Sequence, residues 1–342
     1  MGWFKSIWVF LCVYSFFASS VTYGQDVHFS QRLAGDRQRN VAFHDQFEGS
    51  WQAMSIYRQQ WQSVGVPFIT SGIWATKKFD LGLRQTQFFG GISFLNDQSG
   101  DAKLNSNQFS LHLGATYTYG KHRFRLAVSN ALINKNFDGS GLTFPSQFDR
   151  NTGSFDENLS NGENFSGNNL SFYDLGFGLL TEHVINQEWT LQSGFSMQHV
   201  NQGQESFFDG ENRKNIGYGI QLVAKHTHSK SIGLEPYLSF YRTKGASETI
   251  FGSAVILNTF SLGSISKISP FLYFRTGVDR LTDALIIGSR ANFQKFQLGV
   301  SYDINVSELE LASNHRGGFE ILLSYTVPEE KLNKKRINCE RY

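Results

Sequence analysis

The chain has 342 residues, with 18% charged side chains, 15% aromatics and a formal net charge of +2. So small a charge excludes a partner held by overall basicity, nucleic acid first of all. The length admits two ordinary domains or one large β-barrel. Phe alone contributes 32 residues, yet mean hydropathy is −0.30 because Gly, Ser, Asn and Gln are also abundant. That mixture suits strands with one apolar and one polar face.

Residues 1–24 read as a secretory signal peptide. Lys5 supplies the positive start, "IWVFLCVYSFF" (7–17) the apolar stretch, and Thr22 and Gly24 the small residues ahead of Gln25. A membrane anchor needs about 20 apolar residues, and this run is shorter. Leu11 before Cys12 is too large for a lipoprotein site, and removal of the signal leaves Cys339 without an intrachain disulfide partner. Residues 25–49 are expected as a periplasmic segment ahead of the barrel, and 328–342 as a basic periplasmic tail.

Between them, 50–327 carries about fourteen segments with period-2 patterning. They are 50–58, 66–79, 85–95, 106–119, 121–133, 170–184, 187–200, 214–227, 231–243, 246–257, 269–279, 283–290, 294–304 and 317–327. In "FQKFQLGVSYDINVSEL" (293–309), Phe296, Leu298, Val300 and Tyr302 oppose Gln297, Gly299, Ser301 and Asp303. In "GFEILLSYTV", Phe319, Ile321, Leu323 and Tyr325 oppose Glu320, Ser324 and Thr326. The polar parity is rich in Gly, Ser and Gln with occasional charge, which fits a crowded or water-filled lumen better than a sandwich face in bulk water. An apolar parity turned to lipid requires a sheet that closes on itself, because hydrocarbon offers no hydrogen-bond partners. The predicted fold is therefore all-β, a transmembrane up-and-down antiparallel barrel of about fourteen strands.

Connection lengths point the same way. With strand ends facing the periplasm at both chain termini, the long connections 96–105, 134–169, 201–213 and 305–316 fall outside. The tight ones at 80–84, 120–122, 185–188 and 228–230 fall inside. Connection 258–268 breaks the pattern. Trp51, Trp61, Trp74, Trp189, Tyr237, Tyr241 and Tyr325, near segment ends, are expected in the interfacial aromatic girdles.

No catalytic, cofactor or metal residues emerge. "GISFL" (91–95), "GFSMQ" (194–198) and "GVSYD" (299–303) begin a serine elbow, but none ends in Gly and all lie in strands. His226 and His228 share a strand face without a third ligand. "NKNFDG" imitates a calcium loop, but with Asn134 first and Pro145 at position twelve, where the bidentate Glu belongs. "GFGLLT" (176–181) and "GYGIQL" (217–222) lack the third glycine of a dinucleotide loop and read as lumen-facing or bulge glycines. An outer-membrane lipid hydrolase would need a Ser–His pair within reach at the lipid boundary.

Several stretches resemble the PorP/SprF family of type IX secretion membrane proteins of Bacteroidetes. They are "QDVHFSQ" (25–31), "NVAF" (40–43) with "EGS" (48–50), "YRQQW" (57–61), "GGISFLNDQSGDAKLNSNQFSLHLGATYTY" (90–119), "FQLGVSYDINVSEL" (296–309), "GGFEILLSYTV" (317–327) and "CERY" (339–342). The usual "NPAF" departs here by carrying Val41 in place of proline. The resemblance implies a non-enzymatic outer-membrane barrel for protein secretion or gliding motility, without cofactors. Its implied partners are outer-membrane lipid, a cell-surface adhesin or other secreted protein, and periplasmic secretion or motility components. The alternative is a passive or substrate-specific pore, since fourteen strands enclose space for a lumen.

Overall fold

The computed structural model describes residues 26–61, 65–100, 103–138, 142–150, 152–156, 158–160, 168–207, 211–259, 264–277, 282–307 and 315–329. Residues 1–24, expected as a signal peptide, with Cys12, Cys339 and tail residues 330–342, lie outside the described residues.

A closed antiparallel barrel of fourteen strands dominates the fold. Its first half is β1 (Trp51–Gln60), β2 (Phe68–Phe79), β3 (Thr86–Ser99), β4 (Leu104–Tyr119) and β5 (His122–Asn136). A two-stranded hairpin of β6 (Phe148–Asp149) and β7 (Ser154–Phe155) follows in the longest connection. The wall resumes with β8 (Asn169–Val184), β9 (Trp189–Gln198), β10 (Gly217–Thr227), β11 (Ile232–Arg242) and β12 (Ser247–Asn258). It ends with β13 (Ile265–Thr276), β14 (Ala284–Phe293), β15 (Phe296–Asn305) and β16 (Arg316–Val327). Each wall strand pairs with its neighbours in sequence, and β1 closes on β16 from Trp51↔Val327 to Gln60↔Gly318. Closure leaves no sheet edge to be solvated by lipid.

The alternation is wetted as the sequence predicts. Ile73, Leu111, Leu113, Leu126, Val128, Tyr173, Phe296, Val300, Ile321 and Leu323 are all exposed on the outer wall. Gly299, Ser301, Asp303, Glu320 and Ser324 face inward and are buried. No helix among the described residues is long and apolar enough to cross a membrane; strands do the crossing. Connections alternate in length, with 137–168, 199–216 and 306–315 at one end and 120–121, 185–188 and 294–295 at the other. The long-loop end is outward. The irregular connection also resolves: β13 begins at Ile265, and a register shift between Ile265 and Lys267 disturbs the alternation there.

Two expectations change. Residues 26–47 of the segment expected in the periplasm fold into the lumen, because their charges meet opposite charges on the inner wall. Trp74, Tyr237 and Tyr241, expected in the girdles, are 2%, 6% and 6% exposed and point inward. Each shares the polar parity of its strand: Trp74 with Thr70, Gly72 and Thr76, Tyr237 and Tyr241 with Glu235 and Ser239. Trp51, Trp189 and Tyr325 lie on the outer parity, Trp51 and Tyr325 in edge contact with ring centroids 5.7 Å apart.

The lumen is therefore the core. Phe29 and Ala34 pack with Met54, Ile56, Trp74, Leu95 and Leu322, and the Phe29 and Trp74 rings meet edge-on at 6.0 Å. Lower down, Val41, Ala42 and Phe43 pack with Phe89, Ala127 and Leu180. Burial of a large apolar side chain contributes about 1.5–3 kcal/mol, so the wall and its occupant stabilise each other.

Candidate functional site

The lumen occupant descends from the long-loop end to the tight-turn end. It contains one helix, α1 (Arg32–Arg39), and a short 3-10 turn at Val41–Phe43. Eight residues, five of them polar, are too few to form a stable helix alone. The barrel supplies what α1 lacks. Gln31 gives no side-chain cap, but the Glu320 carboxylate accepts hydrogen bonds from the backbone N–H groups of Ser30 (2.7 Å) and Gln31 (2.8 Å). A buried anion there also complements the helix dipole.

Glu320 belongs to a buried ionic cluster. Arg58 donates to Glu320 at 2.5 Å and to Asp303 at 3.0 Å, and Arg275 donates to Asp303 at 2.9 Å. The Ser30 hydroxyl sits at its centre, donating to Asp303 (2.7 Å) and accepting from Arg58 and Arg275 (2.9 Å each). Further down, Arg32 bridges Asp36 and Glu235, each at 3.1 Å, while Arg290 also donates to Glu235. The Tyr237 hydroxyl donates to Asp36 at 2.7 Å. Arg39 pairs with Glu248 at 2.7 Å and lies over the Tyr241 ring. Buried pairs of this kind add little net stability, yet removing one partner strands a charge, so they fix the register of α1 against the wall.

At the 3-10 turn, Asn40 donates to the carbonyls of Leu179 and Phe195 and to the Gln221 side chain, and accepts from the Ala42 N–H. Gly178 and Gly194 make this approach possible: a Cβ on Gly178 would collide with Asn40 Oδ1 and Ala42 N, and one on Gly194 would collide with Gln221 Oε1 and crowd Asn40 and Phe43. Gly178 belongs to the "GFGLLT" stretch, which is thus a seat for the occupant. Asp45 pairs with Arg125 at 2.8 Å and accepts from Thr116. At the outer rim, Asp26 accepts from Lys214 (2.7 Å) and Tyr241 (3.2 Å) and bonds His199 (3.0 Å), whose other nitrogen meets Asp174. Burial alone would lower the His199 imidazole, but hydrogen bonds to Asp174 and Asp26 outweigh it and raise it to about 9. Burial opposes ionisation of Asp26, yet Lys214 and His199 hold its carboxyl well below the usual range.

Little space remains. A cavity beside α1, bordered by Arg37, Trp74, Ser93, His112 and Gly176, holds about 40 Å³, enough for very few waters. Ser93 and His112 are hydrogen-bonded at 2.9 Å, but both face the lumen, away from the lipid boundary, and His112 Nδ1 has no orienting partner. His226 stacks on Trp189 at 4.3 Å with His228 6.1 Å away, and no group of three or more metal-ligating residues exists among the described residues. Asn134 lies within β5, hydrogen-bonded to Asn169 and Ser171, and Pro145 opens a separate turn, so the calcium-like pattern is not assembled.

Fold and lumen together define an outer-membrane β-barrel closed from within by its own N-terminal segment. The model of the Type IX secretion system membrane protein PorP/SprF family matches residues 21–325, and the chain belongs to that family. No curated protein matches it. Among solved structures, it is similar to the toluene transporter TbuX of Ralstonia pickettii, with 10% identity, TM-score 0.48, and 85% of this chain and 92% of that one covered. The monoaromatic hydrocarbon channel CymD is similar at 9% identity and TM-score 0.49, covering 90% and 95% of the two chains. The P. putida toluene transporter TodX matches at 9% identity and TM-score 0.46, covering 84% and 92%.

Proposed function

We propose that this barrel is a non-enzymatic component of type IX secretion or gliding machinery. It binds protein partners on both sides of the outer membrane and supports secretion or surface attachment of large cell-surface proteins. Membership of the PorP/SprF family supports the machinery. The carrying observation is the lumen: residues 26–47 are built into it by buried ion pairs from Asp26 to Asp45, so the wall serves as a scaffold. A pore would first have to expel that segment. Outside, connection 137–168 offers Phe148 and Phe155, exposed and in mutual contact, as a surface for a secreted partner. Periplasmic components would meet the tight-turn end and the basic tail 328–342, with residues 1–24 removed on export.

Deleting the gene and measuring surface display of large adhesins and secreted proteins tests the proposal. Loss of display, with the proteins retained in the periplasm, is expected. Unchanged display together with unchanged gliding contradicts it.

A further inference from the structure

The outer face of β2, β3, β4, β5 and β8 changes character abruptly near the long-loop end. One cross-strand row reads Ile73, Phe94, Phe109, Leu132 and Tyr173, the upper margin of the lipid-facing belt. The next row on the same parity reads Ser71, Asn96, Asn107, Asn134 and Ser171, and the row after it Gln98, Asn105, Asn136 and Asn169, bounded on β2 by the apolar Ile69. With a rise of about 3.4 Å per residue, the two amide rows stand roughly 7 and 14 Å beyond the aromatic margin along the strands. Charge is absent from these rows. Asp97 and Lys135, on the same strands at the same height, turn to the opposite parity, where Asp97 accepts from Thr70 and Lys135 pairs with Glu205.

The amides are aligned by one another. Asn96 donates to the side-chain carbonyls of Asn105 (2.7 Å) and Asn107 (2.9 Å), and Asn134 donates to Asn169 and Ser171 (2.9 Å each). The Nδ2 groups of Asn105, Asn107 and Asn169 donate to no protein group among the described residues and point outward with their strand parity. Each carboxamide carries two donors and an acceptor. Such a patch suits neutral hydroxyl-rich ligands and offers no cation for phosphate. Its continuity with the lipid belt decides the occupant: Tyr173, 63% exposed, lies in the row where acyl chains end and headgroups begin. We infer that the two amide rows form a contact surface for the sugar headgroup of an outer-leaflet glycolipid.

The full-length barrel, purified in detergent, is titrated with rough lipopolysaccharide bearing its core sugars, with the same lipid stripped of those sugars, and with the soluble core oligosaccharide. Core-bearing lipid is expected to bind about tenfold tighter than stripped lipid. Asn107→Ala with Asn134→Ala should abolish that difference and leave stripped-lipid binding unchanged. If that pair lowers the folded fraction, judged by heat-modifiable gel migration, Asn105→Ala with Asn136→Ala carries the same expectation one row higher. Equal affinity for the two lipids in the wild type overturns the inference, as does selectivity surviving in the folded variants. Oligosaccharide binding as tight as the intact lipid assigns the surface to free saccharide and overturns the glycolipid. So does a change of oligomeric state in the variants without loss of sugar selectivity.

Discussion

Glu320→Ala is the most informative single perturbation of the lumen. The carboxylate accepts from the Ser30 and Gln31 N–H groups, from Arg58 at 2.5 Å and from the Ser301 hydroxyl at 3.4 Å, and Glu320 is fully buried. Its removal strands two backbone donors and leaves Arg58 with Asp303 as its one carboxylate partner, shared with Arg275. Losing one partner of a buried ion pair costs about 3–5 kcal/mol, and about 1.4 kcal/mol is a factor of ten, so plug opening should rise roughly 100- to 4,000-fold. Hydrogen exchange read by mass spectrometry reports this on α1, as faster exchange of residues 32–39 by that factor while the β-wall keeps its protection. Unchanged protection of α1 in the folded variant would refute the role assigned to the cluster. Loss of protection throughout the wall would also refute it, since the account places the damage in the occupant.

Other expectations follow from the same geometry. Trp74→Ala opens a cavity against Phe29, Met54 and Leu95 and should cost about 3–5 kcal/mol; equal exchange of residues 26–31 in the two proteins would contradict the inward placement of Trp74. Gly178→Ala should displace the Asn40–Phe43 turn, because its methyl meets Asn40 and Ala42, and cross-linking of position 40 to position 221 should then fail. The rim anchor has a defined pH window. His199, raised from 6.5 to about 9 by folding, contributes fully below about 6.5 and loses its contribution as pH rises through 9. Asp26, depressed below 3.8, contributes above that value and is lost only as pH falls through its lower folded value. Imidazole NMR should give a His199 midpoint near 9; a midpoint near 6.5 would dissolve the proposed anchor.

Strand number and wall orientation were legible because period-2 alternation is a local signal repeated fourteen times. The stretch around Ile265–Lys267 blurred, where a bulge interrupts the period, and the connection expected at 96–105 is only 100–103, because β3 and β4 run further than their apolar alternation. The parity also contained the answer for Trp74, which lies in line with Thr70, Gly72 and Thr76; its aromatic character and place in the strand pointed to the girdle instead. The lumen occupant was harder to read. "RLAGDRQRN" has no apolar stripe, and its partners Gln221, Glu235, Tyr237 and Glu248 are scattered along the chain. Complementarity across such separations leaves no periodic trace. One local signal did exist: lone charges in mid-strand on an inward parity, such as Asp303, Glu320 and Arg290, require partners inside the barrel.

The central claim is that the wall is closed by its own N-terminal segment. Planar-bilayer recording of the purified full-length protein tests it directly. Wild-type protein should insert without steady conductance, whereas deletion of residues 26–47 should produce a stable open level. A steady ohmic conductance from the intact protein would contradict the account.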